Sequence, residues 1–122
     1  MAYGTELILD LHDCNPRTFT RQSIQSFLRQ LCTQIGMKRE DLHFWDYKQH
    51  PRLAAKAPPH LKGTSAVQFI ATSTIVIHTL ENMRKVFVNI FSCNEFDAGT
   101  AAGLTEDWFD GNITTYQVVT RK

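Results

Sequence analysis

Four side chains suited to proton transfer or nucleophilic attack, Ser65, Ser73, His78 and Cys93, fall in one stretch of the chain. A serine hydroxyl attacks once a base takes its proton, an imidazole shuttles protons near neutrality, and a thiol serves as nucleophile or acid. If residues 65–73 run as a regular strand, Ser65 and Ser73 share one parity with Val67, Phe69 and Ala71 between them, and lie along one face. His78 follows on the next strand, and a turn at residues 72–74 brings the hairpin back and sets the imidazole near Ser73. In the run 86–92, Phe87, Asn89 and Phe91 share the parity of Cys93, which stands at the strand's end where a thiol reaches an open site. The pattern therefore places Ser, His and Cys together on one sheet face. Strand serines, a buried histidine and an apolar-flanked cysteine are also common features of ordinary cores, so pattern alone leaves both readings open.

The elements that must position these groups are readable from periodicity. Residues 6–11 form a short apolar run that fits a first strand, ended by the turn chemistry of residues 13–16. Ile24, Phe27, Leu28, Leu31, Cys32 and Ile35 make a one-sided stripe of helical period, and Gly36 supplies its stop. Residues 42–47 read as a second strand, and the segment 48–62, with Pro51, Pro58 and Pro59, as a long loop. Three β-rich runs follow at 65–71, 75–80 and 86–92 and predict an antiparallel meander. A helix over 97–109, weakened by Gly99 and Gly103, and a last strand over 113–119 complete the order β-α-β-β-β-β-α-β. Each helix has one stripe to bury, so the expected fold is an α+β two-layer sandwich: a mainly antiparallel sheet with two helices on one face. The bare face and edge predict self-association.

Composition narrows the function. The 122 residues suit one domain spanning 1–122, with 43% hydrophobic and 20% charged residues. No apolar run reaches membrane-spanning length, and Lys+Arg 13 against Asp+Glu 12 gives no electrostatic case for nucleic acid or an anionic membrane. The first residues lack the basic and apolar regions of a signal peptide, and three cysteines without paired spacing read as free thiols, so a cytoplasmic location is expected. His12, Cys14, His43, His50 and His60 have no zinc spacing, and no metal is expected. Glu106 and Asp107 read as a solvated helix face, and Trp108 and Phe109 as packing anchors.

The wording around the four residues carries more. Gly63-Thr-Ser-Ala-Val-Gln-Phe-Ile-Ala-Thr-Ser-Thr-Ile-Val-Ile-His-Thr79, followed by Val88-Asn-Ile-Phe-Ser-Cys93, resembles the core of the small prokaryotic S-adenosylmethionine decarboxylases. Those proteins read Gly-x-Ser-Gly, a short apolar run, Glu-Ser-His, two residues and Ile-His-Thr, and later a strand ending in Phe-Thr-Cys. Ser65, Ser73, His78 and Cys93 fall, without a gap, where the family has its functional Ser, Ser, His and Cys; weaker echoes occur at residues 7–11 and 14–16. The resemblance implies that Ser73 attacks the carbonyl of Thr72, cleaving the chain and leaving a pyruvoyl group at residue 73. That cofactor would form a Schiff base with a small-molecule amine substrate and act as the electron sink for loss of CO2. Ser65 and His78 would assist self-processing and Cys93 would reprotonate the decarboxylated carbon. The resemblance further implies a homodimer with sites at its interface.

Three departures accompany it. Thr72 stands for the family's Glu and Thr74 for its His. Leu80-Glu-Asn82 replaces Trp-Pro-Glu, whose carboxylate holds the ribose hydroxyls, so the nearest carboxylate, Glu81, comes one residue early and should point to the opposite face. The 48–62 segment also offers no aromatic that aligns with the family's adenine-stacking residue. The reacting centre is better kept than the nucleoside-binding parts. That asymmetry also fits the same chemistry on a smaller amino acid, ornithine or arginine, or a non-processing regulatory paralogue.

Overall fold

Alternation of apolar and polar side chains decides which way each strand faces. In β1 (Gly4–His12) Leu7, Leu9 and Leu11 are fully buried while Ile8 and Asp10 look the other way. The same rhythm buries Ala66, Gln68 and Ile70 in β3 (Gly63–Ile70), Ser73, Ile75, Ile77 and Thr79 in β4 (Ser73–Leu80), and Val86, Val88, Ile90 and Ser92 in β5 (Lys85–Ser92). With β2 (Arg39–Asp46) and β6 (Asn112–Arg121), these strands form one antiparallel sheet in the order β2-β3-β4-β5-β1-β6. The computed structural model describes residues 2–122.

Helices α1 (Arg21–Gln34) and α3 (Ala98–Phe109) cover the buried face. The stripe of α1 points Ile24, Phe27, Leu28, Leu31 and Cys32 into the core, each fully burying a side chain that contributes about 1.5–3 kcal/mol for the larger residues. Thr20 caps its N-terminus by accepting from Ser23 N–H at 3.1 Å, and Gly36, at φ 72°, lets Met37 N–H return to the carbonyl of Cys32. Asp97 caps α3 at 2.8 Å, and Gly99 and Gly103 are tolerated on its exposed side. The helices meet through Phe27, whose ring packs edge-on against Phe109 at 4.9 Å, and through Trp108, which donates from Nε1 to Ser23 Oγ at 3.0 Å.

The α+β sandwich agrees with the sequence reading, and the sheet is antiparallel throughout. Two details differ. The 48–62 segment is not a bare loop: Pro51 occupies the first turn of a short helix, α2 (Pro51–Lys56), where its missing N–H costs nothing, and 3-10 turns flank it. The strand β4 begins at Ser73, not at residue 75, so the turn before it is only Ala71 and Thr72.

Candidate active site

Two separate clusters hold the four chemical side chains. In the first, Ser65 of β3 stands directly opposite His78 of β4 on the face away from the helices. Their Oγ and Nδ1 atoms are hydrogen-bonded at 2.7 Å. The close approach depends partly on Gly63, where a Cβ would collide with the carbonyl of Thr79. A cavity of about 330 Å³ opens beside the pair and is lined by Trp45, His60, Leu61 and Phe87. A hydroxyl held on an imidazole is a proton-transfer unit, and the aromatic wall beside it shields a bound molecule from water.

The second cluster lies at the other end of β4. Ser73 is 5% exposed, and its Oγ accepts the backbone N–H of Cys93 at 3.2 Å and lies 3.6 Å from Cys93 Sγ. The hydroxyl of Thr72 is 3.5 Å from the same sulfur. These hydroxyls, Thr72 first and then Ser73, hold the Cys93 thiol below the ordinary thiol range, with Tyr3 adding a smaller effect. A cavity of about 220 Å³ beside Thr72 and Ser73 is walled by Phe69 and Phe91. Tyr3 stacks on Phe91 with ring centroids 6.3 Å apart.

The sequence reading expected Ser73 and His78 on one face, and the structure separates them. Ile70 pairs with Ser73 across a two-residue turn, so Ser73 takes the face of Ile70, towards the helices, rather than the face of Ser65. His78, five positions further on, has the opposite parity. Five residues of strand also put the two about 17 Å apart. Cys93 does meet Ser73, because the pairing of Thr74 with Phe91 continues back to bring residues 72 and 73 alongside 92 and 93. Within one chain the arrangement is thus a Ser–His pair and a Ser–Thr–Cys group at opposite ends of one strand.

The remaining predicted groups sort clearly. Glu81 does not line the cavity beside Ser65 and His78; it borders a different one, of about 260 Å³, with Asp46, Lys48 and Lys62, and burial raises its carboxyl pKa. Glu81 lies just past the end of β4, in the turn that leads to β5. Among the described residues no cluster of His, Cys, Asp or Glu is placed to hold a metal ion, and no helix is long and apolar enough to cross a membrane. Trp45, 47% exposed, and His60 line the cavity beside Ser65 and His78, a role that the sequence reading does not give them. For Trp45 a signal existed, since in strand β2 it shares the parity of His43 on the uncovered side.

The Asp46 carboxylate fixes this end of the sheet. It accepts from Arg21 Nε at 2.6 Å and from Arg21 Nη2 at 2.9 Å, and also caps the turn after β2 through Lys48 N–H at 3.1 Å. The guanidinium is the main reason that its pKa falls below the usual carboxylate range. Trp45, on the opposite face, packs against Tyr47 and His50 with ring centroids 5.0 and 5.4 Å away.

Comparison with known proteins extends this picture. No curated protein sequence matches the chain significantly. The solved structure of the adenosylmethionine decarboxylase from Aquifex aeolicus VF5 matches with a TM-score of 0.77 at 18% identity, over 98% of this chain and 91% of that one. Its likeness is one of fold. The family model for S-adenosylmethionine decarboxylase matches residues 5–122. With nearly the whole length of the sheet and both packed helices inside that match, the chain belongs to the S-adenosylmethionine decarboxylase family.

Proposed function

We propose that this chain is a pyruvoyl-dependent decarboxylase of the S-adenosylmethionine decarboxylase type that activates itself by cleavage between Thr72 and Ser73. The observation that carries the reading is the contact of Ser73 Oγ with Cys93, beside the Thr72 carbonyl at a tight turn. Ser73 Oγ attacks the carbonyl carbon of Thr72. A C–O bond forms as the C–N bond to Ser73 breaks, and the hydroxyl proton passes to the freed nitrogen. Loss of the Ser73 Cα proton then expels the Thr72 carboxylate and leaves dehydroalanine. Its imine tautomer takes up water and releases ammonia, so that position 73 ends as a pyruvoyl group.

The residues around position 73 suit such a group: Ser73 supplies its carbon skeleton and the Cys93 N–H already points at the side chain. When formed, it supplies a carbonyl that binds a substrate amine and accepts the electron pair left by departing CO2. Cys93 acts as the acid that returns a proton to the decarboxylated carbon. The Ser65–His78 pair assists self-processing by relaying protons.

One chain keeps that pair about 17 Å from Ser73, which supports a dimer in the same reading. Two copies stacked through their uncovered sheet faces, with a two-fold axis perpendicular to the strands, set the 65/78 end of one over the 72/93 end of the other, where Ser73, though turned towards the helices, borders the cavity walled by Phe69 and Phe91. The substrate is a small-molecule amine. The position of Glu81, in a different cavity from Ser65 and His78, favours a second reading for specificity, an amino acid smaller than the nucleoside substrate, such as ornithine or arginine.

Intact mass measurement tests the proposal. Two fragments cut between Thr72 and Ser73, the second blocked at its N-terminus, are expected, and Ser73→Ala should abolish them. A single full-length mass that persists on long incubation sinks self-activation and leaves a non-processing paralogue as the reading. Release of labelled CO2 from S-adenosylmethionine, ornithine or arginine then identifies the substrate.

A further inference from the structure

Thr72 holds a backbone conformation that its own side chain resists. Four non-glycine residues among those described have positive φ: Asp13 at 56°, Thr72 at 52°, Arg84 at 53° and Asp110 at 52°. Aspartate enters this region more readily than most residues, and arginine is unbranched at Cβ. Thr72 alone of the four is β-branched, for which left-handed backbone is an outlier. Its surroundings hold it there. Ile70 pairs with Ser73, so Ala71 and Thr72 must reverse the chain in two residues, which calls for positive φ inside the turn. On the far side Ser73 is fixed by β4 and by the N–H of Cys93, while the Thr72 hydroxyl donates to the carbonyl of Ala71 at 2.8 Å.

We propose that Thr72 is a positioning residue whose backbone strain drives the self-cleavage, because the strain exists in the intact peptide and is released in the ester. The inference rests on the self-cleavage reading above. In the peptide a single atom, the Ser73 nitrogen, links the Thr72 carbonyl carbon to the Ser73 Cα. After the shift, with the C–N bond broken, the C–Oγ bond formed and the proton moved from oxygen to nitrogen, two atoms link them, Oγ and Cβ. The longer link slackens the turn and lets residue 72 leave the left-handed region. Strain confined to the starting state shifts the peptide–ester equilibrium towards ester, and elimination drains the ester in proportion. The usual left-handed penalty corresponds to roughly a 5–30-fold gain in rate.

Processing is followed by intact mass on the full-length chain. Thr72→Gly and Thr72→Asn, which accept left-handed backbone, are expected to slow cleavage roughly 5–30-fold. Thr72→Val keeps the branch while removing the hydroxyl, and is expected to rescue most of the rate. In the uncleavable Ser73→Ala background, Thr72→Asn is expected to raise Tm by several degrees, a readout independent of chemistry. Cleavage of the Asn variant at the parental rate, a Val variant as slow as the Gly variant, or an unchanged Tm in the Asn variant overturns the strain proposal. A parental chain that stays intact overturns the self-cleavage reading and takes this inference with it. The two failures are distinguishable because the first set occurs in a chain that does cut.

Discussion

At the scale of single residues, the three cysteines divide by environment. Cys14 and Cys32 are buried, and desolvation pushes each thiol up to about 11. Cys93 lies at the rim, and contact with the Thr72 and Ser73 hydroxyls holds its pKa below the ordinary thiol range of about 8.5. A thiol that gives up its proton more easily is a stronger acid, which is what the proposed return of a proton to carbon requires. In uncut chain, obtained as His78→Ala, iodoacetamide should label Cys93 with a pH midpoint below that of free cysteine. Cys14 and Cys32 should stay unlabelled at that pH. Because Thr72 is the larger cause, Thr72→Val should move the Cys93 midpoint upward, while a Cys93 midpoint at or above the free value removes the acid assignment from this residue.

At the scale of elements, the ion pair between the start of α1 and the end of β2 ties a helix to the strand that carries Trp45. Asp46 is 3% exposed, so Arg21→Met leaves a largely buried carboxylate without its partner and should lower Tm by a few degrees. The folded pKa of Asp46 is depressed, so its contribution is present above the unfolded value of about 3.9 and lost as pH falls through the lower folded value. The parent and Arg21→Met should therefore converge in stability in acid, and a gap that stays constant down to pH 3 assigns the effect to something other than Asp46. Elements were also what the sequence displayed best. The α1 stripe, the β3-β4-β5 meander and the two-layer packing follow from local period, which burial on one face enforces. The four chemical residues stood out by type and spacing, but their expected convergence on one face did not appear, since they fall into two groups. What stayed hidden was one residue of turn length: a hairpin closing on Ala71 and Thr72 instead of residues 72–74 turns Ser73 towards the helices, away from His78. The position of β1 between β5 and β6 was hidden for another reason, since it is set by long-range pairing that no local pattern records.

At the scale of the whole molecule, the sheet has one face packed by helices and one that carries Ile8, Val67, Phe69, Val76, Phe87 and Phe91 without a covering layer. Phe69 is 43% exposed there, and Glu6 on this face is tied to its neighbours, accepting from Asn89 Nδ2 at 2.6 Å and pairing with Arg121. An apolar face of this kind is suited to meet its own copy. That symmetry does chemical work only if the Ser65–His78 pair of one chain serves Ser73 of the other, and the separation of about 17 Å within a chain makes the two alternatives experimentally distinct. In the proposed mechanism Ser73→Ala keeps the Ser–His pair but cannot be cut, whereas His78→Ala keeps the proposed cleavage point but lacks its proposed proton relay. Each variant alone should remain intact or nearly so. Unfolded together and refolded as a mixture, they should yield cleaved His78→Ala chains, recognised by mass, because half of the sites in a mixed dimer combine an intact Ser73 with an intact His78. Mixed dimers that form, as seen by a differential tag, and still leave every chain uncut place the relay within one chain and remove the functional reason for the dimer.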